Sequence, residues 1–239
     1  MVERKPAKEP PLGIPPSKVP QFVVLGTDDN ATAGLDGSKG LGFLLGLYRD
    51  RVNPRGNNNP KTFDGLPIQF TLYGMTQYLW SGRISPPAEV KRAWRSVFEA
   101  GNEIGAHTES HPHGSQASFE QWDKEIALCE KRITSPFDED RLDLEATGIG
   151  LKKGNLLGFR APYLEYNNNL FRVLGKRGYL YDCSVEEGYQ DGEVGTDHYW
   201  PYTLDSGSPA DSNVGSFKGL WEIPVYPLIA PADKGLRDY

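Results

Sequence analysis

The chain reads as an α/β fold with mainly parallel strands, arranged as a parallel sheet or an open barrel. Three observations predict it. Short strand-like runs alternate with longer amphipathic runs along the chain, the order that builds crossover units. No internal repeat breaks that alternation. The polar groups Asp28-Asp29, His107, Arg160 and Asp182 each fall at or just after a strand's end, where such folds place their chemistry.

The elements follow in order. Residues 1–20 carry Pro6, Pro10, Pro11, Pro15, Pro16 and Pro20, which excludes a helix and predicts an extended N-terminal arm before a domain of residues 21–239. Gln21-Phe-Val-Val-Leu25 is the first strand, ending in Gly26-Thr-Asp-Asp-Asn30. Residues 40–48 suit a short helix, and a Gly/Asn/Pro-rich loop follows over residues 53–60. Ile68-Gln-Phe-Thr-Leu-Tyr73 alternates like a strand.

Pro86 and Pro87 open a helix whose Val90, Ala93, Trp94, Val97 and Phe98 share one face, with Gly101 past its end. Residues 103–107 form the next strand. Ser118 and Gln121 match a capping box, followed by an apolar stripe of Trp122, Ile126, Cys129 and Ile133. Residues 156–160 and 179–183 are strands flanking a helix over residues 168–176, with Gly178 beyond it. Residues 221–226 are a last strand, which Pro224 marks as an edge or bent one.

Composition narrows the partners. The 239 residues can bury one large core or two small ones. A formal charge of -6 argues against a nucleic-acid partner. Mean hydropathy is -0.54, and no apolar run approaches the ~20 residues of a membrane span. Cys129 and Cys183, the only two cysteines, lie in apolar stretches and read as buried thiols. The N-terminus shows no apolar core of a signal peptide, and nothing in the sequence bears on oligomeric state.

The stretch richest in chemistry is Gly105-Ala-His-Thr-Glu-Ser-His-Pro112, since three of the four histidines lie between positions 107 and 113. His107 and His111 are spaced to converge on one ion across a helical turn or in a tight loop, and Pro112 favours the loop. Two surface histidines in a polar loop would read the same way. Asp28-Asp29 alone could simply cap the turn after its strand. Together, two imidazoles and a carboxylate make a facial ligand set, and the neighbouring carboxylate can take a proton from water.

These residues resemble the polysaccharide deacetylases of carbohydrate esterase family 4, and within them the chitin deacetylase-like branch. Four of the family's five motifs can be matched in order. Gly26-Thr-Asp-Asp29 stands for Thr-Phe-Asp-Asp; residues 107–112 match His-Ser/Thr-x-x-His-Pro at every position. Arg160-Ala-Pro-Tyr163 is the third motif, and Asp182 in Tyr181-Asp-Cys-Ser184 the fourth. Trp200-Pro-Tyr-Thr203 and Trp221-Glu-Ile-Pro224 look like the branch's later strands.

The resemblance implies a distorted, incomplete (β/α) barrel and the following roles. Asp29, His107 and His111 bind the metal, zinc first, with cobalt, nickel or iron also suited to such ligands. Asp28 is the general base that activates the attacking water. Arg160 pairs with it, although a plain strand-end salt bridge would look alike. The backbone N–H of Tyr163 stabilises the oxyanion, Asp182 tunes the general acid, and Tyr163 and Trp200 are candidates to stack on sugar rings. The implied substrate is a polymer of N-acetylglucosamine, chitin-like or peptidoglycan, located outside the cytoplasm or in the envelope. The acidic charge is compatible with a neutral sugar polymer.

Two departures stand out. Gly26-Thr27 replaces Thr-Phe, which changes the packing under the base. The fifth motif, a Leu-x-His supplying the general acid, is not found after His198. That leaves three expectations: the domain lacks its C-terminal end, His198 serves as acid, or the chain is a catalytically weak metal-containing carbohydrate-binding domain. Hydrolysis of another C–N bond on the same scaffold is a further alternative.

Overall fold

The structure, a computed structural model, describes residues 3–19, 23–30, 40–55, 64–188 and 198–227. Seven strands form one open sheet: β1 (Gly26–Asp29), β2 (Thr71–Gly74), β3 (Glu103–Ala106), β4 (Gly158–Phe159), β5 (Tyr181–Asp182), β6 (Tyr202–Thr203) and β7 (Trp221–Glu222). Their spatial order is β1-β2-β3-β4-β5-β7-β6. Every neighbouring pair is parallel except β6 and β7. Four helices accompany the sheet: α1 (Gly40–Arg49), α2 (Pro87–Glu99), α3 (Phe119–Thr134) and α4 (Asn168–Arg177). This is the expected α/β architecture of an unclosed barrel.

The helices form where local chemistry specifies them. At α3 the Ser118 hydroxyl accepts the Gln121 N–H while the Gln121 side chain accepts the Ser118 N–H, the full capping box. Its buried residues are the stripe Trp122, Ile126, Cys129 and Ile133. Asn167 caps α4, and Gly178 ends it at φ 79°, a left-handed turn that glycine adopts without strain. Along α2 the expected face is buried, with Phe98 only partly so.

That face also carries Lys91, fully buried. Its ammonium donates to the carbonyls of Leu142 (2.7 Å) and Leu144 (2.8 Å) and to the Thr147 hydroxyl (3.1 Å). A buried cation is tolerated when every donor is satisfied.

The two faces of the sheet are filled differently. Leu72, Ile104, Ala106 and Phe159 join the helices in the main core. Tyr73, Tyr181 and Cys183 form a second cluster, flanked by Trp221, Ile223 and Val225. The tyrosine rings fit because neighbouring strands present glycine. A Cβ on Gly105 would lie 2.6 Å from the Tyr73 ring, and one on Gly158 would lie 2.0 Å from the Tyr181 ring.

Several expectations are corrected. The strands are shorter than the periodicity suggested, and β4, β5 and β7 have two residues each. β1 starts at Gly26; Val23 and Val24 before it are exposed. β7 is not an edge strand, since it pairs with β5 on one side and β6 on the other. Pro224 is accommodated as a break, and the parallel pairing resumes at Val225 opposite Glu186.

The N-terminal arm forms single 3-10 turns at Pro11–Gly13 and Pro16–Lys18. It docks on β6, where Thr203 N–H donates to the Arg4 carbonyl (2.9 Å) and Trp200 N–H to that of Ala7 (3.0 Å). Residues 21–22, 56–60 and 228–239, on which other expectations rested, lie outside the described residues. Among the described residues no helix is long and apolar enough to cross a membrane.

Candidate metal centre

Four strand ends deliver the site. Asp28 and Asp29 close β1, His107 follows β3, Arg160 follows β4, and Asp182 closes β5. The backbone leaves β1 through a three-residue turn in which Asn30 N–H donates to the Asp28 carbonyl at 2.8 Å. Asp29 sits at its apex with φ 63°, the strained form of that turn. The Asn30 side chain also donates to the Asp28 carbonyl (2.8 Å), and the Trp94 indole donates to the Asn30 carbonyl (3.2 Å).

The strain is concentrated here. Of seven non-glycine residues with positive φ among the described residues, six are Asp29, Asn30, Thr108, His111, Tyr163 and Leu164. Such backbone costs on the order of 1–2 kcal/mol per residue and persists where the surroundings over-determine it.

The side chains converge. Asp29 Oδ1 lies 3.7 Å from His107 Nε2 and 3.5 Å from His111 Nε2, and the three ligand atoms all fall within 4.8 Å of one another. His107 Nδ1 is 2.7 Å from the Arg160 carbonyl. As Nδ1–H it donates there and leaves the Nε2 lone pair facing Asp29, the tautomer that metal-binding histidines adopt. Burial lowers the His107 pKa, against the charge of Asp28, which favours the neutral, ligating imidazole. Asp29 Oδ1 is buried and finds no hydrogen-bond partner among the described residues. An orphaned carboxylate oxygen facing two imidazoles is the donor set of a divalent transition metal, so the residues fit such an ion.

Beside this trio stands Asp28, whose Oδ1 accepts from Arg160 Nη1 at 2.7 Å. Arg160 is itself fixed three ways. Its Nε donates to the Cys183 carbonyl (3.0 Å), its Nη2 to Cys183 Sγ (3.1 Å), and its guanidinium lies 4.2 Å from the Tyr73 ring centroid. Gly26 makes room for this: a Cβ there would come within 3.1 Å of Tyr73 and 3.2 Å of both Arg160 terminal nitrogens. Both cysteines are buried free thiols, and Cys183 also anchors the arginine.

Tyr163 sits in the 3-10 turn Pro162–Leu164 with φ 57°. Its exposed ring packs edge-on to His111 (4.5 Å) and flat against His113 (4.2 Å, 10°). His113, not singled out from the sequence, lies 2.9 Å from Glu165, a hydrogen bond that lowers the Glu165 pKa.

Asp182 lies beneath the site, fully buried. Its oxygens accept the Ser184 N–H and hydroxyl, both at 2.9 Å, and that hydroxyl accepts the Ala161 N–H at 2.8 Å. Asp182 thus supports the loop that carries Arg160 and Tyr163. Opposite it in the β5–β7 register stands Glu222, also fully buried, which accepts the Val185 N–H at 3.2 Å. Burial pushes Asp182 up to about 6, against the Ser184 hydrogen bonds. Burial and the Asp182 charge push Glu222 well above its ordinary value. The apolar neighbours of Glu222 in Trp221-Glu-Ile were the one sequence sign of its burial. His198 packs against Tyr226, ring centroids 5.3 Å apart, and Trp200 is half-buried beside the N-terminal arm.

The family profile described as polysaccharide deacetylase matches residues 61–181, which carry His107, His111, Arg160 and Tyr163. The chain belongs to the polysaccharide deacetylase family. Solved structures similar to this polysaccharide deacetylase-family chain include three from bacteria. A family 4 carbohydrate esterase from Streptomyces lividans in complex with acetate is 22% identical over 72% of this chain and 66% of its own, with a TM-score of 0.41. A Streptococcus pyogenes deacetylase in complex with acetate is 15% identical over 88% and 66%, with a TM-score of 0.47. A family 4 acetyl xylan esterase from Clostridium thermocellum in complex with a cobalt ion is 20% identical over 63% and 53%, TM-score 0.37. The chain spans about two fifths to two thirds of the length of the solved structures it matches first. No curated protein matches it in sequence.

Proposed function

We propose that the chain hydrolyses N-acetyl groups from N-acetylglucosamine units of a polysaccharide, chitin-like or peptidoglycan, outside the cytoplasm or in the cell envelope. The observation that carries this reading is the convergence of Asp29, His107 and His111 beside a carboxylate that Arg160 holds in place. Asp29, His107 and His111 hold a divalent ion, zinc foremost, with cobalt, nickel or iron compatible with the same donors. When bound, the ion supplies Lewis acidity and lowers the pKa of its water to about 7.

The protein's own groups do the rest. Asp28 Oδ takes a proton from the attacking water. The guanidinium of Arg160, 2.7 Å away, holds that carboxylate in place by a charge-assisted hydrogen bond. As the water oxygen bonds to the acetyl carbon, the Tyr163 N–H donates to the developing oxyanion. The proton held on Asp28 then passes to the amide nitrogen as the C–N bond breaks, leaving the sugar amine and acetic acid, which ionises to acetate. The Asp182–Ser184–Ala161 hydrogen bonds keep Arg160 and Tyr163 in register. His113, fixed by Glu165 and stacked on Tyr163, extends an aromatic surface on which a sugar ring can lie.

Acetate release from N-acetylglucosamine oligomers, with zinc added or a chelator present, tests the proposal. Release that both the chelator and Asp28→Asn abolish is the expected result. Release unaffected by the chelator would overturn it, as would metal binding with no release from any N-acetylated oligomer.

A further inference from the structure

His107 and His111 bracket three residues, Thr108, Glu109 and Ser110, and two of the five positions, Thr108 and His111, have φ of 67° and 58°. Left to itself such a segment would relax to extended backbone at a gain on the order of 1–2 kcal/mol per residue, carrying the two imidazoles apart. Something outside the segment must hold it.

The holding groups come from two directions. From the stretch after β2, Thr76 N–H donates to the Thr108 carbonyl (3.2 Å) and Gln77 N–H to that of Glu109 (2.9 Å). The buried Glu109 carboxylate turns inward to the Trp80 indole at 2.7 Å and to the Thr76 hydroxyl. From α3, Glu125 grips the outer side. Its Oε2 accepts the N–H groups of both Glu109 (3.1 Å) and Ser110 (2.9 Å), and its Oε1 accepts the Ser110 hydroxyl (2.9 Å).

We infer that Glu125 is a positioning residue for the metal centre: it fixes the turn that points both imidazoles at one ion and so sets metal affinity without touching the metal. The inference rests on the proposed role of Asp29, His107 and His111 as ligands. Three hydrogen bonds to one carboxylate are each charge-assisted, the strong class. They satisfy the peptide N–H groups that the left-handed residues on either side leave unpaired. Groups that orient ligands from behind typically change metal affinity about 10–100-fold when removed. Glu109 is part of the turn itself, and its loss would leave the buried Thr76 hydroxyl and the Trp80 indole without their acceptor. Glu125 acts from a separate helix and can be changed alone.

Zinc affinity of the metal-free protein, measured by competition with a chromogenic chelator, tests this independently of substrate. Parent protein that binds no zinc would refute the metal reading itself. With parent binding established, Glu125→Ala should weaken zinc 10–100-fold while the unfolding midpoint of the metal-free protein stays within a few degrees. Glu125→Gln, which keeps an acceptor for the N–H groups, should recover most of that loss. The visible spectrum of the cobalt-loaded protein should broaden in Glu125→Ala and return toward the parent's in Glu125→Gln. Unchanged zinc affinity in a folded Glu125→Ala overturns the inference. If that variant does not fold, Glu125→Asp decides by the same measurement, because its carboxylate is drawn back by one methylene: weaker zinc supports the inference, and unchanged zinc overturns it.

Discussion

Replacing Glu222 with glutamine removes one of two carboxyl groups that β5 and β7 hold opposite each other in full burial. The magnitude follows from the titration. Asp182 is pushed from 3.8 to about 6, and each pK unit corresponds to about 1.36 kcal/mol, so ionising it costs about 3 kcal/mol more in the fold than in the unfolded chain. Glu222 is raised as well, by burial and then by Asp182. Native protein therefore binds more protons than unfolded protein from about pH 4 upward through 6. Stability from this pair is intact below about pH 4 and is lost as pH rises through that window.

In Glu222→Gln the amide oxygen still accepts the Val185 N–H, the amide NH2 can donate to Asp182, and no second group beside Asp182 can ionise. The variant should be about 2 kcal/mol more stable than the parent at pH 8, within the range for replacing buried charge. The gap should close to within about 0.5 kcal/mol at pH 4, where both carboxyls are protonated. Urea unfolding of chelator-treated protein, followed by the fluorescence of its five tryptophans, measures both. Parallel pH profiles, or a variant less stable than the parent at pH 8, would refute the reasoning.

Other expectations test the site and the scaffold. Asp28→Asn should lower the rate of acetate release about 10²–10⁴-fold, the usual loss of a general base, while zinc affinity stays within about threefold because Asp28 is not a ligand. Gly26→Ala would press on Tyr73 and Arg160; it should cost about 1–3 kcal/mol of stability and lower the rate of acetate release by loosening the Arg160–Asp28 pair. Ser118→Ala removes the capping box of α3 and should destabilise the protein by about 1 kcal/mol with little effect on the rate. Zinc at about 100 times its dissociation constant should raise unfolding free energy by about 2.7 kcal/mol, and Asp29→Asn should shrink that gain.

Much of the site was legible because its residues are close in sequence or follow strands. His107 and His111 lie four apart, and Asp28-Asp29 follows an apolar run. The α3 stripe and cap were legible for the same reason: helical periodicity is local. What escaped was long-range. Lys91 occupies the apolar face of α2 because three oxygens of a loop more than fifty residues away satisfy it. Glu222 looks like any polar residue in a strand until β5 places Asp182 opposite. Of the two readings of the last strand, edge or bent, the edge one failed because Pro224 lies just past its two paired residues, leaving the ladder on both sides intact. The first strand was overread because the apolar run begins at Val23 and Val24, which are exposed and precede the paired residues.

The docking of the arm on β6 has a consequence for synthesis. Arg4 leaves the ribosome 199 positions ahead of its partner Thr203. At roughly 5–20 residues per second, the arm waits about 10–40 s before its edge of the sheet exists. For that interval the arm is free to meet other surfaces, and its seam with the sheet cannot close before β6 has been made.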